Sequence, residues 1–265
     1  MANENANLQD KKNLGISGHE NRNGNDGTIT RFGWKAQNKS LLLFAGEAYN
    51  VEMGISNDIF PNEREEDPSC YYNGTPEDHS DPTATAPTDA LSDITDFAHF
   101  MRFSAPAQAV ALNPSTTNGS GVFKRIGCAY CHTPQMTTGY AETAALKNQP
   151  VKLFSDLLVH HMGPALADQI IQGNAGVDEF RSSPLWGLGQ RIFFLHDGRT
   201  KDLVEAIQLH ASTMDDRHNC VDAHSGLSVP LDKVACESEA NRVVDNYNRL
   251  TTADKQDLLN FLRSL

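Results

Sequence analysis

Residues 127–132 read Gly127-Cys128-Ala129-Tyr130-Cys131-His132. Cys-x-x-Cys-His is the attachment signature of a c-type haem: two thiols add across the porphyrin vinyl groups, and the imidazole that follows is held where it ligates the iron. The bland alternatives are chance and zinc. With five Cys and ten His in the chain, composition alone would place such a pentad somewhere in roughly half a per cent of cases. Cys-x-x-Cys is also half of many zinc sites, but a second Cys/His pair at ligand spacing is missing downstream. Nor does a βαβ pattern surround the motif, as a thioredoxin-like redox pair requires. The stretch therefore predicts one covalent haem c, with Cys128 and Cys131 as thioether anchors and His132 as the proximal ligand.

Charge and composition narrow what surrounds it. Acidic residues outnumber basic ones, 34 to 22 in 265 residues, for a formal charge of −12. The basic residues form no stripe that would neutralise phosphates, which argues against a nucleic-acid partner. No stretch approaches the roughly 18 to 20 apolar residues of a membrane span. Met1-Ala2-Asn3-Glu4-Asn5 is polar throughout and does not read as a signal peptide, although c-type haem is normally attached after export. Two explanations stay open: the chain starts after a removed leader, or it is an N-terminally truncated relative of something longer. The expected compartment lies outside the cytoplasm, in the periplasm. Three cysteines remain beside the motif, Cys70, Cys220 and Cys236. In an oxidising compartment Cys220 and Cys236, which bracket a local loop, are the expected pair, with three free thiols as the alternative.

Along the chain, residues 1–30 are polar with almost no apolar periodicity, and residues 31–60 carry enough apolar content to pack, with a helical stretch expected from Lys39 to Tyr49. Residues 61–90 are acidic and rich in Pro, Ser, Thr and Asp, the composition of a linker or long surface loop. Leu91, Ile94, Phe97, Ala98 and Met101 fall at helical spacing and predict an amphipathic helix over 89–103. A second helix is expected from about Ser120 into the motif, with Val122, Phe123 and Ile126 on its apolar side. Residues 133–190 are punctuated by Gly and Pro, as befits chain wrapped around a large flat ligand. Thr200 opens the next helix, whose stripe is Leu203, Ile207, His210 and Met214. Residues 215–250 read as a polar excursion. Thr251 to Asp254 form a capping box before a final helix that buries Leu258, Leu259, Phe261, Leu262 and Leu265.

The second axial position decides potential and reactivity. His210 and Met214, four residues apart on one helix face, are the leading candidates. His160, His161 and Met162 form a cluster that reaches the haem edge in a third arrangement, against ordinary packing as the commoner role. Arg199, in the turn His196-Asp197-Gly198-Arg199, is a candidate partner for a haem propionate; the alternative is a plain turn. His19, His79, His99, His218 and His224 lie in polar or isolated settings and read as surface residues.

Three runs carry a resemblance: Phe180-Arg181-Ser182-Ser183-Pro184-Leu185-Trp186-Gly187-Leu188-Gly189, then Phe194-Leu195-His196-Asp197-Gly198-Arg199, and Leu203-Val204-Glu205-Ala206-Ile207-Gln208-Leu209-His210. They are similar to the C-terminal haem domain of the di-haem oxidoreductases, relatives of the bacterial di-haem cytochrome c peroxidases and of the methylamine-utilisation di-haem enzyme. Leu158-Val159-His160-His161-Met162-Gly163-Pro164 also fits, although the family usually has Asp where His161 stands. Upstream, Gly15-Ile16-Ser17-Gly18, Arg31-Phe32-Gly33-Trp34-Lys35-Ala36 and Glu52-Met53-Gly54-Ile55 resemble the end of the family's first haem domain. The family binds two haems, and this chain has one Cys-x-x-Cys-His. The resemblance implies that the electron-transfer half is present, and that the ligand the peroxidases supply as Met falls here on His210.

The expected fold is mainly α: a cytochrome c-like haem domain with long loops over 89–265, a linker or loop over 61–88, and a haem-less remnant of a first cytochrome domain over 1–60. The leading functional reading is a monohaem electron carrier with bis-His ligation by His132 and His210 and a redox protein as partner. The alternative is a haem peroxidase or other oxidoreductase, completed by a second haem-bearing chain or an oligomer. A third reading is a structural subunit whose haem is stabilising.

Overall fold

The computed structural model describes residues 8–67, 69, 74–212, 220–221, 228–229 and 237–265. Among them the chain is mostly helical: α1 Leu8–Leu14, α2 Leu41–Glu52, α3 Asp93–Phe103, α4 Pro114–Ile126, α5 Leu203–Gln208, α6 Asn241–Asn248 and α7 Thr252–Arg263. Strands are two or three residues long. They are β1 Asn21–Arg22, β2 Ile29–Thr30 and the antiparallel ribbons β3 Met136–Thr137 with β4 Pro150–Val151, β5 Val159–His161 with β6 Glu179–Arg181, and β7 Cys220–Val221 with β8 Ser228–Val229.

The chain forms two compact units. One comprises Met1–Arg22, Trp34–Gln37 and Pro106–Leu265; the other comprises Asn23–Gly33 and Asn38–Ala105. The boundaries read from the sequence at 60 and 89 fall elsewhere. Helix α3, assigned there to the haem domain, belongs with α2, against which Phe97 sets its ring edge-on to Tyr49 at 6.4 Å. Residues up to Arg22 and Trp34–Gln37, assigned to a separate remnant, belong with the motif. In the smaller unit α3 starts at Asp93 rather than 89, because the Asp78 carboxylate accepts from the Asp93 and Ile94 amides, at 2.7 and 3.1 Å, and satisfies the first turn. It buries Ile94 and Ala98, while Phe97 stays exposed.

In the larger unit the core is the crossing of α4 and α7. Val122, Phe123 and Ile126 from α4 meet Leu258, Leu259, Phe261 and Leu262 from α7, with Leu185, Leu188, Leu203 and Tyr247 closing the cluster. Each such side chain contributes roughly 1.5–3 kcal/mol on full burial. Phe123, Phe154 and Phe261 pack edge-to-face, with centroids 5.5 to 6.1 Å apart. The close crossing depends on Gly119, where a Cβ would lie 2.0 Å from the Asp257 carbonyl oxygen. Helix α4 starts six residues before the expected Ser120. Asn113 and Thr116 form a reciprocal capping box and Pro114 occupies the first turn, so local capping overrides a Ser/Thr/Gly composition that reads as loop. Thr251 caps α7 through the Asp254 amide at 3.1 Å. Helix α6 lies inside the stretch read as a polar excursion. Its Val243, Val244 and Tyr247 are buried, an apolar face too short to stand out from its polar flanks.

Candidate haem site

The motif follows directly from the end of α4. Gly127 takes φ 108°, a left-handed conformation that stops the helix and that other residues adopt at a cost. The chain then tightens into a 3-10 turn over Cys128–Tyr130, and the His132 amide donates to the Cys128 carbonyl at 2.9 Å. A second segment braces the turn: the Asp156 amide donates to Cys131 O at 2.8 Å and Ser155 to Thr133 O at 3.0 Å. Neither motif cysteine is in a disulfide. Burial, with the neighbouring Cys131, pushes the Cys128 thiol up to about 12. A thiol this reluctant to ionise is not the activated nucleophile of a redox pair.

The two candidate axial imidazoles lie close together, edge to face. The ring centroids of His132 and His210 are 6.5 Å apart, at an interplanar angle of 62°. His132 Nδ1 is 3.1 Å from Phe154 O, and His210 Nδ1 is 2.7 Å from Ala206 O. A carbonyl only accepts, so both Nδ1 atoms carry the proton and both Nε2 atoms keep a lone pair. Phe154 holds its position with φ 53°, an outlier for a bulky residue that costs on the order of 1–3 kcal/mol. The strain sits beside the carbonyl that fixes the His132 tautomer. Burial first, then the nearby His210, lowers the His132 pKa to about 4, and burial lowers that of His210. Neutral imidazole is the form that binds a metal.

These groups line a cavity of about 220 Å³ whose other walls are mainly apolar, among them Phe123, Phe180, Leu185, Leu203, Ile207 and Val243. Its polar exceptions include Arg181 and Arg191. Arg181 Nε is buried with no hydrogen-bond partner, and burial followed by the charge of Arg191 lowers the Arg181 pKa to about 10. Among the described residues no carboxylate pairs with either guanidinium, and Arg191 donates only to the Pro184 carbonyl, at 3.3 Å. Two thiols, two neighbouring imidazoles, an apolar enclosure and a buried guanidinium whose Nε has no partner, with Arg191 beside it, fit the vinyls, iron, ring and propionates of a haem. Two imidazoles on opposite sides of one first-row metal ion would have centroids roughly 6 Å apart, given metal–nitrogen bonds near 2.0 Å.

The other sequence candidates are placed differently. Arg199 is engaged by Asp197, with Nε to Oδ2 at 2.6 Å, and by the Ala165 carbonyl at 2.7 Å; it is not on the cavity wall, where Arg181 and Arg191 stand instead. His196 lines the cavity and stacks on Phe180, with centroids 4.1 Å apart. His210 lies two residues past the end of α5, which stops at Gln208. Met214, Cys70 and Cys236, and the side chain of Cys220, lie outside the described residues, and with them the alternative ligand and the expected disulfide.

His160 is buried against the motif, with Nδ1 3.8 Å from the Cys131 sulfur. It donates to Glu239 at 2.8 Å and to Asp156 at 3.1 Å. Burial opposes its charge, but the Cys131 sulfur and the Asp156 carboxylate prevail and raise its pKa well above the ordinary value. Glu239 also accepts from the Ser17 hydroxyl at 2.7 Å and the Ser17 amide at 3.0 Å. Asp156 accepts from Ser182 at 2.6 Å and pairs with the buried Lys11 at 3.5 Å. This network ties three distant segments to the haem motif. Sequence reading missed Glu239, Asp156, Arg181 and Arg191 as site residues. Arg181 stood inside the run that carried the resemblance, and that was its one available signal.

Comparison with known proteins can now be set beside this geometry. The profile of the family described as "Di-haem oxidoreductase, putative peroxidase" matches residues 8–229. A search of curated proteins gives no match. Among solved structures the chain is similar to the "Crystal structure of a MauG-like protein associated with microbial copper homeostasis", with 17% identity and a TM-score of 0.42 over 69% of this chain and 55% of that one. The chain thus spans little more than half the length of that protein. The family match covers most of the chain, including the motif, the 180–189 run and His210, and the chain belongs to the di-haem oxidoreductase family.

Proposed function

We propose that the chain carries one covalent haem c, anchored by Cys128 and Cys131 and ligated by His132 and His210, and that it works as an electron-transfer unit. The observation that carries this reading is the nearby imidazole pair at the attachment motif, with each Nδ1 committed to a backbone carbonyl. The haem, when bound, supplies one-electron exchange between ferric and ferrous iron. The apolar walls keep water off its faces, and Arg181 and Arg191 are the cations placed for its propionates, in the role the sequence gave to Arg199. His132 and His210 are the residues that would both hold the iron, which would leave it closed to a substrate. Haem attachment also argues for a compartment outside the cytoplasm, and the partner is a redox protein.

Family membership favours a second reading, a peroxidase-like oxidoreductase in which this haem passes electrons to a second haem on another chain or another copy. The two separate on addition of peroxide and on His210→Ala. An electron-transfer unit leaves peroxide untouched in the parent, and the variant gains an open position that takes up added imidazole. A parent that consumes peroxide by itself, or a variant with the parent's spectrum, overturns the proposal.

A further inference from the structure

A second group of ligand-type side chains lies beside the haem site and is not used by it. Strands β5 and β6 pair with His161 opposite Glu179, and His19 bridges to Val159 on the other edge of β5. Because side chains alternate along a strand, Val159 and His161 share one face and His160 points to the other, toward Cys131. His19, His161 and Glu179 therefore gather on the face away from the motif. His19 Nε2 is 2.7 Å from Glu179 Oε1, and His161 Nε2 is 3.0 Å from the same oxygen. The imidazoles are about one-third to two-fifths exposed, while Glu179 is 6% exposed and held from behind by the Gly176 amide on Oε2 at 2.7 Å.

The opposite nitrogens decide the chemistry. His19 Nδ1 is 3.2 Å from the Glu20 carbonyl, and His161 Nδ1 is 3.2 Å from both oxygens of Asp178. Both partners accept, so each Nδ1 carries a proton and each Nε2 is left as the donor atom. The two Nε2···Oε1 contacts then need either a proton on each Nε2 or one cation between them. One divalent ion replaces two protons at the same net charge. The carboxylate and the carbonyl behind the imidazoles are the outer partners that orient metal-binding histidines. As they stand, no three His, Cys, Asp or Glu side chains among the described residues are placed to hold a metal ion; His19, His161 and Glu179 close on one another instead, so a cation has to part them. Tetrahedral ligation at bonds of about 2.1 Å sets nitrogen and oxygen roughly 3.4 Å apart, so the contacts at 2.7 and 3.0 Å have to open by about 0.7 and about 0.4 Å.

We infer that His19, His161 and Glu179 form a binding site for a first-row divalent transition ion such as Zn²⁺, with Asp178 orienting His161. Two imidazoles and one carboxylate suit that class of ion and leave further positions for water or an exogenous ligand. The assignment is independent of the haem ligation.

The test is calorimetric titration of the haem-loaded protein with ZnCl₂ near neutral pH, in buffers of different ionisation enthalpy. The expected result is one saturable Zn²⁺ per chain with net proton release, weakened at least about tenfold by His19→Gln or His161→Gln and about tenfold by Asp178→Asn. The Soret spectrum and the thermal midpoint in chelator establish that each variant is folded. His19→Gln, at the most exposed of the three side chains, keeps the test valid if the others misfold. Absence of stoichiometric binding, or affinity unchanged in a folded His19→Gln variant, overturns the proposal; the second result would put the zinc on other residues.

Discussion

His132 was legible in the sequence because a covalent attachment motif is local: three residue types at fixed spacing carry the chemistry. Its partner depends on a contact between distant segments: helical spacing offered His210 and Met214 alike, and the resemblance favoured His210. The propionate assignment shows the limit. Arg199 looked suitable because it follows a tight turn, yet a carboxylate two residues away engages it. Arg181 stood out only as part of the run that carries the resemblance, and its buried, unpartnered Nε shows only in the folded chain. If Arg181 faces a propionate, Arg181→Met leaves that negative charge uncompensated and favours ferric iron. Potentiometric titration should then show a potential lowered by on the order of 60 mV, a tenfold change for one electron. A potential that is unchanged or higher would remove Arg181 from this role. Glu239 gives a pH prediction. Burial resists its ionisation, but hydrogen bonds from His160 and Ser17 hold its pKa at about 2, below the ordinary 4.5. Its contribution to stability is therefore complete above about pH 4.5 and lost as pH falls toward 2. Glu239→Gln should flatten the stability-against-pH curve in that window, as measured by denaturant unfolding at a series of acid pH values. An unchanged slope would show that Glu239 does not bear the acid sensitivity.

The apolar stripes of α3 and α7 were read well, whereas the stripe read from Thr200 through His210 gives a helix only over Leu203–Gln208, and helices whose existence rests on caps or tertiary contact were missed in part. Helix α7 combines a cap with four buried side chains and was found whole. Helix α4 was found only in its apolar half, since its first turns are Ser, Thr, Asn and Gly. Those glycines have a physical reason. Gly119 admits the backbone of α7, and Gly119→Ala should force the helices apart at a cost of about 1–3 kcal/mol, readable as a lower midpoint in denaturant. A change within 0.5 kcal/mol, taken as the ordinary scatter of neutral substitutions, would mean that the crossing is looser than the structure has it. Asn113→Ala removes the cap of the same helix and should cost about 1 kcal/mol by the same measurement.

At the scale of the whole molecule, the helical class and the family were readable, and the two compact units group the chain differently from the partition read off its composition. Composition marked residues 61–90 as a linker, whereas contacts group them with α2 and α3. The N-terminal residues join the larger unit through pairings such as Ser17 with Glu239, more than two hundred positions apart, and no local pattern reports those. The family is that of the di-haem oxidoreductases and this chain carries one attachment motif, which is why the proposal puts electron transfer first and makes peroxide consumption the outcome that overturns it. The mass of the denatured protein checks the stoichiometry: one haem should stay with the polypeptide through acid-acetone extraction, and a colourless polypeptide would refute covalent attachment.

The central claim is that His132 and His210 close the iron from both sides. Low-temperature electron paramagnetic resonance of the ferric protein, read together with its far-red absorbance, tests it most directly. The account predicts a low-spin signal of the two-imidazole type and no sulfur-to-iron charge-transfer band. A high-spin signal would mean an open iron, and a sulfur band would place a methionine where His210 is assigned; either would contradict the account.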